Sequence, residues 1–229
     1  MAEAAVTAAI AVHNGEAYLA EAIESILGQS RPCAQVVVVD NDSTDRSGEI
    51  ARGYGPRVEV VFEPRRGIGA ARNAAVRAAR GDFVAFLDAD DLWMTEKTAL
   101  QLAAFEADPE LQLVFGHVRQ FVSPDLGAEE TAALSAPADP QPGAYMGAML
   151  AKRSALDAIG PWPEDVKVSD GLTFMLRARE LGLKQAMLPE TMTMRRLHGE
   201  NHSIHNRGER AEFARLLKQS LDRRRAGAG

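Results

Sequence analysis

The amino-acid sequence predicts an α/β protein with a doubly wound, mostly parallel central sheet flanked by helices. Three observations predict it. Strand and helix patterns alternate β-α-β-α-β-α-β across the first 120 residues, which implies right-handed crossovers. The strands are near-continuous β-branched runs, as in Gln35 to Val39 (QVVVV), the pattern of a sheet covered on both faces. The third is FVAFLDADD, Phe83 to Asp91, where the apolar residues Phe83 to Leu87 run straight into Asp88, Asp90 and Asp91. Open α/β sheets bind ligands where strands end at their carboxyl edge, so chemistry is expected at these acids.

In chain order, Val6 to Val12 is the first strand, and His13-Asn14-Gly15 its turn. Over Glu16 to Gln29, Leu19, Ala22, Ile23, Ile26 and Leu27 share one helical face, which Arg31-Pro32 closes. The second strand, Gln35 to Val39, stops at DNDSTD, Asp40 to Asp45, where Asp42 or Ser43 is suited to cap a helix running to about Arg52. Val58 to Phe62 is a third short strand. Arg65 to Gly81 opens with Gly67-Ile68-Gly69 and continues as an alanine-rich helix that packs Ala71, Ala75, Val76 and Ala79. Such a helix start is a ready anion site. The dinucleotide fingerprint fails there, because it requires a third glycine and position 72 is Arg.

Beyond the acids come a helix, Thr95 to Asp108, and a strand, Leu113 to Phe121. Between Ser123 and Pro142 periodicity disappears and Ala, Pro, Glu and Asp dominate, the composition of a loop between two functional halves. A short helix (Lys152 to Ile159), the turn Gly160-Pro161-Trp162-Pro163, a helix (Gly171 to Leu181) and strands at Lys184 to Leu188 and Thr191 to Leu197 follow. His198 to Arg207 is polar and holds three of the five histidines. A last helix, Glu209 to Arg225, sets Phe213, Leu216, Leu217 and Leu221 on one side. There is no internal repeat.

Composition narrows the function. The 229 residues, 46% hydrophobic and 25% charged, suffice for one sizeable core. A net charge of −6 argues against a nucleic-acid partner. Cys33 is the only cysteine, so an intrachain disulfide and a cysteine-based zinc site are both excluded. The opening apolar run, Ala4 to Val12, is too short to span a bilayer and no longer one follows; the expectation is a soluble, cytoplasmic protein without a transmembrane segment. Clustered carboxylates repel one another and call for a cation among them. An all-oxygen cluster suits Mg²⁺ or Mn²⁺. The alternative is a solvated turn in which an Asp caps the helix from Thr95.

Six segments carry a resemblance to a known family: AVHNGEAYLAEAIESILGQS, VVVVDNDSTD, RGIGAARNAA, FVAFLDADDLW, the SDGLTFMLRA helix start and RRLHGENHS. In this order, reaching about Ser203, they resemble the family 2 inverting glycosyltransferases of the GT-A fold. The resemblance implies a metal-dependent transfer of a sugar from a nucleotide-diphosphate donor, UDP favoured, to a hydroxyl acceptor. It further implies that Asp40 reads the base, with Val12 and His13 lining the base pocket and Arg72 helping to hold the nucleotide. Asp88 would lie near the donor ribose and the metal, with Ala89 in the same donor-contacting loop. Asp90 would be the direct ligand of Mn²⁺ or Mg²⁺, Asp91 its support, and His198 the late histidine that closes over metal or diphosphate. Asp170 stands where the family keeps its general base. Residues 1–120 would then form the donor half, 121–207 the acceptor and base half of the same domain, and 208–229 a C-terminal helix.

The chemistry agrees with that assignment. A sugar diphosphate needs its leaving group neutralised, which a clamped divalent ion does as a Lewis acid. A carboxylate on the opposite face must take the hydroxyl proton. Asp170 begins a helix, whose dipole favours the ionised form; it is also a possible N-cap. The chain departs from the family at His13, where Tyr is common, at Asn41, where a second acid is common, and at Ser169, where Glu is usual.

Two other functions compete. A sugar-1-phosphate nucleotidyltransferase would need a glycine-rich, basic triphosphate loop right after the first strand, and His13-Asn14-Gly15 is too short. A non-catalytic nucleotide-sugar binder is supported by Ser169 alone and opposed by Asp88, Asp90, Asp170 and His198. Trp93 and Trp162 are open between sugar contact and packing. His202 and His205 read as solvated loop residues. The cluster Arg223-Arg224-Arg225 reads as a solvated helix end, with peripheral membrane contact or a dimer seam as alternatives; monomer and homodimer both stay open. Neither the acceptor nor the sugar is written in the sequence.

Overall fold

The computed structural model of the protein describes residues 4–164 and 170–199, together with Lys218. Four parallel strands form its first half: β1 (Val6–Val12), β2 (Gln35–Asp40), β3 (Glu59–Phe62) and β4 (Phe83–Asp88). The connections are α1 (Leu19–Leu27), α2 (Ser47–Gly53) and α3 (Ile68–Ala78). Alternate strand residues face opposite layers. Ala8, Ile10, Val36, Val38, Ala85 and Leu87 pack with Leu19, Ile23, Ile26 and Ala51 on one side. Ala9, Val37, Val39, Val84 and Phe86 pack with Ala71, Ala74 and Ala75 on the other. The small side chains of α3 let that helix lie close on its sheet.

The second half continues the same sheet with mixed directions. Its strands are β5 (Leu92–Trp93), β6 (Leu113–Val122), β7 (Gln141–Pro142), β8 (Leu150–Lys152) and β9 (Gln185–Leu197). The order across the sheet is β3-β2-β1-β4-β8-β6-β9-β5, with β7 beside β6. β8 runs antiparallel to both β4 and β6, whereas β9 runs parallel to β6. Helices α4 (Lys97–Ala107), α5 (Ala128–Ala133), α6 (Arg153–Ile159) and α7 (Asp170–Glu180), with 3-10 turns at Gly55–Arg57 and Met146–Ala148, complete the described elements. The sheet is thus parallel through the first half and joined to the second by an antiparallel insertion.

Several elements differ from expectation, each for a local reason. The two late strands are one, β9. Pro189 and Glu190 bulge out of register between Leu188, opposite Gly116, and Thr191, opposite His117. Gly116 permits this, since a Cβ there would lie 2.2 Å from Met192 Cγ. The stretch 123–142 contains α5 and β7, too short and too polar for periodicity to show. β5 and β8 span two and three residues, below any pattern. Neither Asp42 nor Ser43 caps α2. That helix starts later, at Ser47, whose N–H donates to Asp45 Oδ1 at 2.9 Å.

Both tryptophans are core residues. Trp93 is buried, and Trp162 stacks on Phe174 and meets Phe86 edge-on. Gly69 serves close packing: a Cβ there would sit 2.4 Å from the Pro163 carbonyl oxygen, so α3 can meet that turn only without one. No helix among the described residues is long and apolar enough to cross a membrane. The helix expected over 209–225, with Arg223-Arg224-Arg225, and the residues Ser169, His202 and His205 lie outside the described residues, Lys218 apart.

Candidate active site

Parallel pairing brings the polar strand ends to one edge. Val12 is opposite Asp40 on β2, and Ala11 is opposite Asp88 on β4. Two acidic loops therefore flank the end of β1.

The loop after β2 is held by its near neighbours. Asp40 is buried and its Oδ1 accepts the Ser43 N–H at 3.0 Å. Asn41 works as a staple. Its amide donates to the Glu63 and Arg65 carbonyl oxygens at 2.8 and 2.7 Å, while its Oδ1 accepts the Gly67 N–H at 2.9 Å. An Asp could not donate, which gives the departure from a second acid a structural reason. Glu63 is buried beneath this bridge, and hydrogen bonds from Arg65 pull its carboxyl down to about 2, against an ordinary 4.5. His13 is exposed, with Nδ1 2.9 Å from the Asn41 carbonyl oxygen. Nδ1–H must donate there, so in the neutral ring Nε2 is left as an outward acceptor. Val12 contributes backbone to this loop: its carbonyl accepts the Asn41 N–H at 2.8 Å, and its side chain belongs to the core.

The loop after β4 is held from far away. The Tyr145 hydroxyl stands 2.6 Å from Asp88 Oδ2 and 2.6 Å from Asp91 Oδ2. One hydroxyl carries one proton, so two contacts this short require a second. Asp91 supplies it: burial, reinforced by the Asp88 and Asp90 charges, pushes its carboxyl well above the usual range. Burial likewise keeps Tyr145 a phenol. Asp88 Oδ1 lies 3.5 Å from the buried Arg72 guanidinium, which places a fixed positive charge behind the acid. Ala89, partly buried, packs against the core and lies 3.4 Å from where a Cβ on Gly15 would be, closing the gap between the β1 and β4 loops.

Arg196, near the end of β9, ties this loop to three other segments. Its backbone N–H donates to Asp91 Oδ1 at 2.9 Å and its Nε to the Asp90 carbonyl at 3.0 Å. Its terminal nitrogens reach Ser123 Oγ at 3.1 Å and Glu21 at 2.6 Å. The guanidinium also faces Tyr18 at 4.5 Å and Phe121 at 4.9 Å. Two residues on, buried His198 places Nε2 3.0 Å from Asp90 Oδ2, with its ring 5.0 Å from Tyr18. None of the three acids caps α4, whose N-terminus has no side-chain cap. The solvated-turn reading is thereby excluded: the acids are bound by Tyr145, Arg72, Arg196 and His198 instead.

Among the described residues, no three or more His, Cys, Asp or Glu side chains converge as a cage for an ion. Asp90 and His198 do meet, and Asp88 is half-exposed in the same loop. A carboxylate–imidazole pair fits a divalent ion that takes its remaining ligands from water and phosphate oxygens. Asp170 opens α7, as expected, and its side chain is not among those described. Tyr145 and Arg196 were missed by the sequence reading. A signal for Arg196 exists, since an arginine inside a buried strand must find partners; for Tyr145, in a stretch without periodicity, there is none.

Comparison with known proteins bears on the family and the fold. The family model described as "Glycosyl transferase family 2" matches residues 7–156. EpsH of Bacillus subtilis, assigned as a glycosyltransferase, is 32% identical over 120 residues, covering 51% of this chain and 35% of its own. An uncharacterized glycosyltransferase of Nostoc, alr2836, is 37% identical over 101 residues, covering 42% of this chain and 31% of its own. These matches thus span about a third of each relative's length. Among solved structures, S. aureus TarS 1-349 in complex with UDP-GlcNAc superimposes with a TM-score of 0.72 at 21% identity, over 94% of this chain and 65% of that one. The same protein in complex with UDP gives 0.66 at 23% identity, over 84% and 60%. At that identity the likeness is one of fold, and the fold is GT-A.

Proposed function

The chain belongs to glycosyl transferase family 2, and from that membership we propose that it moves a sugar, with inversion, from a UDP-sugar to a hydroxyl acceptor. The observation that carries the donor site is the meeting of Asp90 and His198 at 3.0 Å, from positions 108 residues apart, beside Asp88 at the carboxyl edge of the sheet. A similar fold is known bound to UDP and to UDP-GlcNAc, which favours uridine in the donor.

In this reading Asp40, His13 and the backbone of Val12 line the base pocket. Asp88, Asp90 and His198 would hold Mn²⁺ or Mg²⁺, which when bound supplies Lewis-acid stabilisation of the departing diphosphate. Arg72 adds fixed positive charge beneath Asp88, at no reorganisation cost during reaction. Asp170, at the start of α7, is kept ionised by the helix dipole and takes the proton of the acceptor hydroxyl. That oxygen attacks the anomeric carbon from the face opposite the diphosphate, and the carbon–oxygen bond to the diphosphate breaks with inversion.

Isothermal titration of UDP, GDP and dTDP with and without Mn²⁺ tests the donor site. UDP should bind tightly only with the ion, and Asp90→Ala should abolish that binding. No nucleotide binding by the wild type under any condition would overturn the reading. Asp170→Asn should bind donor as the wild type does yet release UDP at least about 100-fold more slowly in the presence of an acceptor. Equal turnover would remove Asp170 from the base role.

A further inference from the structure

Tyr145 heads a short 3-10 turn, Met146–Ala148, whose carbonyls are capped by buried side chains from three elements. The Gly147 carbonyl accepts from Trp93 Nε1 at 2.9 Å and Thr193 Oγ1 at 2.8 Å. Those of Ala148 and Met149 accept from Gln101 Nε2 at 2.9 Å and Lys97 Nζ at 3.0 Å. Lys97 is fully buried, which pulls its pKa down to about 7; its Nζ also donates to Gln101 Oε1 at 2.7 Å and lies 4.2 Å from the Trp93 ring centre. The Arg195 guanidinium faces the Tyr145 ring at 5.5 Å. The turn leads directly into β8, which is anchored between β4 and β6.

A buried lysine and a buried glutamine are an expensive way to hold two backbone carbonyls. The frame fixes the turn that Tyr145 heads, and the Tyr145 hydroxyl extends from there to the acids. That hydroxyl reaches Asp88 and Asp91 at once, from the acceptor half of the chain. We propose that Tyr145 is a positioning residue of the donor site: its hydroxyl aims the Asp88 carboxylate, and the Lys97–Gln101–Trp93 frame aims Tyr145. Asp88 uses one oxygen toward Arg72 and one toward Tyr145, and each oxygen retains a lone pair for an incoming ion or ribose hydroxyl. The proposal rests on the donor-site reading given above.

The test is Tyr145→Phe, which keeps the ring under Arg195 and removes only the hydroxyl. Direct titration of Mn²⁺ with UDP should show a dissociation constant raised roughly 10- to 100-fold, the range for a residue that orients a metal ligand. At saturating ion and donor, kcat should stay within about twofold, because the base side is untouched. Tyr54→Phe, which loses a hydroxyl bonded to the Ala20 carbonyl, should leave the constant at the wild-type value. A wild-type or tighter constant in Tyr145→Phe would overturn the proposal while leaving the donor site standing. A wild type that fails to bind would instead remove the donor site itself. A second measurement needs no binding: the cycle of Tyr145→Phe and Asp88→Asn read by denaturant unfolding. Non-additive effects support the hydroxyl acting on Asp88, and additive ones refute it.

Discussion

Two acidic loops lie side by side at one sheet edge, and they are built in opposite ways. The loop after β2 is held by residues close in sequence: Asn41 reaches Glu63, Arg65 and Gly67, and the Asn14 side chain accepts the Thr44 N–H at 2.8 Å. The loop after β4 is held by Tyr145, Arg196 and His198, which arrive 54 to 108 positions later. The first loop takes these hydrogen bonds from the first half of the chain, although Arg65 also pairs with Glu164 of the second half at 3.0 Å. The second takes much of its shape from the second half of the chain, so the geometry of its carboxylates reports whether that half is in place.

Removing Arg196 should break this contrast most strongly. Arg196→Met strips the Asp90 carbonyl, Ser123 and Glu21 of a common partner and should cost about 3 kcal/mol, with Mn²⁺-dependent UDP binding lost in step. Chemical denaturation and titration measure both; a loss under about 1 kcal/mol would mean the β4 loop stands without its distant partner. Asn41→Asp attacks the near-range loop and should cost about 2 kcal/mol, because a carboxylate then faces two carbonyl oxygens. The new acid would have a raised pKa in the folded state, so its deficit should be least at acid pH, grow as pH rises above the ordinary carboxylate value and level off above the raised one. A deficit independent of pH would refute the staple. The mildest change is Glu63→Gln. The Glu63 carboxyl is depressed to about 2, so its contribution is present above 4.5 and fades as pH falls toward 2. The variant should be less stable than the wild type near pH 7, and the difference should shrink as pH falls from about 4.5 toward 2, as read from melting temperature against pH.

The same contrast explains what the sequence made legible. The parallel half and its strand ends followed from periodicity, because each strand there is long enough to show its pattern and pairs with near neighbours. Asp40, Asp88 and Asp90 were therefore placed at the right edge. Val12, named for a base pocket, faces the core with its side chain and offers only backbone. The second half was read less well. β5 and β8 are too short to carry a period, and Pro189 looked like a strand break when it is a bulge tolerated opposite Gly116. Tyr145 was invisible for a different reason: its importance comes from a carboxylate 57 residues upstream, and spacing within a segment says nothing of that. Asn41 looked like a lost acid, and only its three partners show why an amide suits the position.

The antiparallel insertion of β8 has a consequence in time. A chain made as far as Lys152 possesses all four parallel strands, the acids and Tyr145, but lacks the strand that carries Arg196 and His198. Closing a loop of more than a hundred residues is entropically slow, and contacts at such separation form late in folding. The loop after β4 should accordingly mature late, after the parallel strands have formed. A nascent or partly folded chain would display the four parallel strands with the carboxylates of this loop unanchored, and on the proposed function nucleotide binding would begin only when β9 docks.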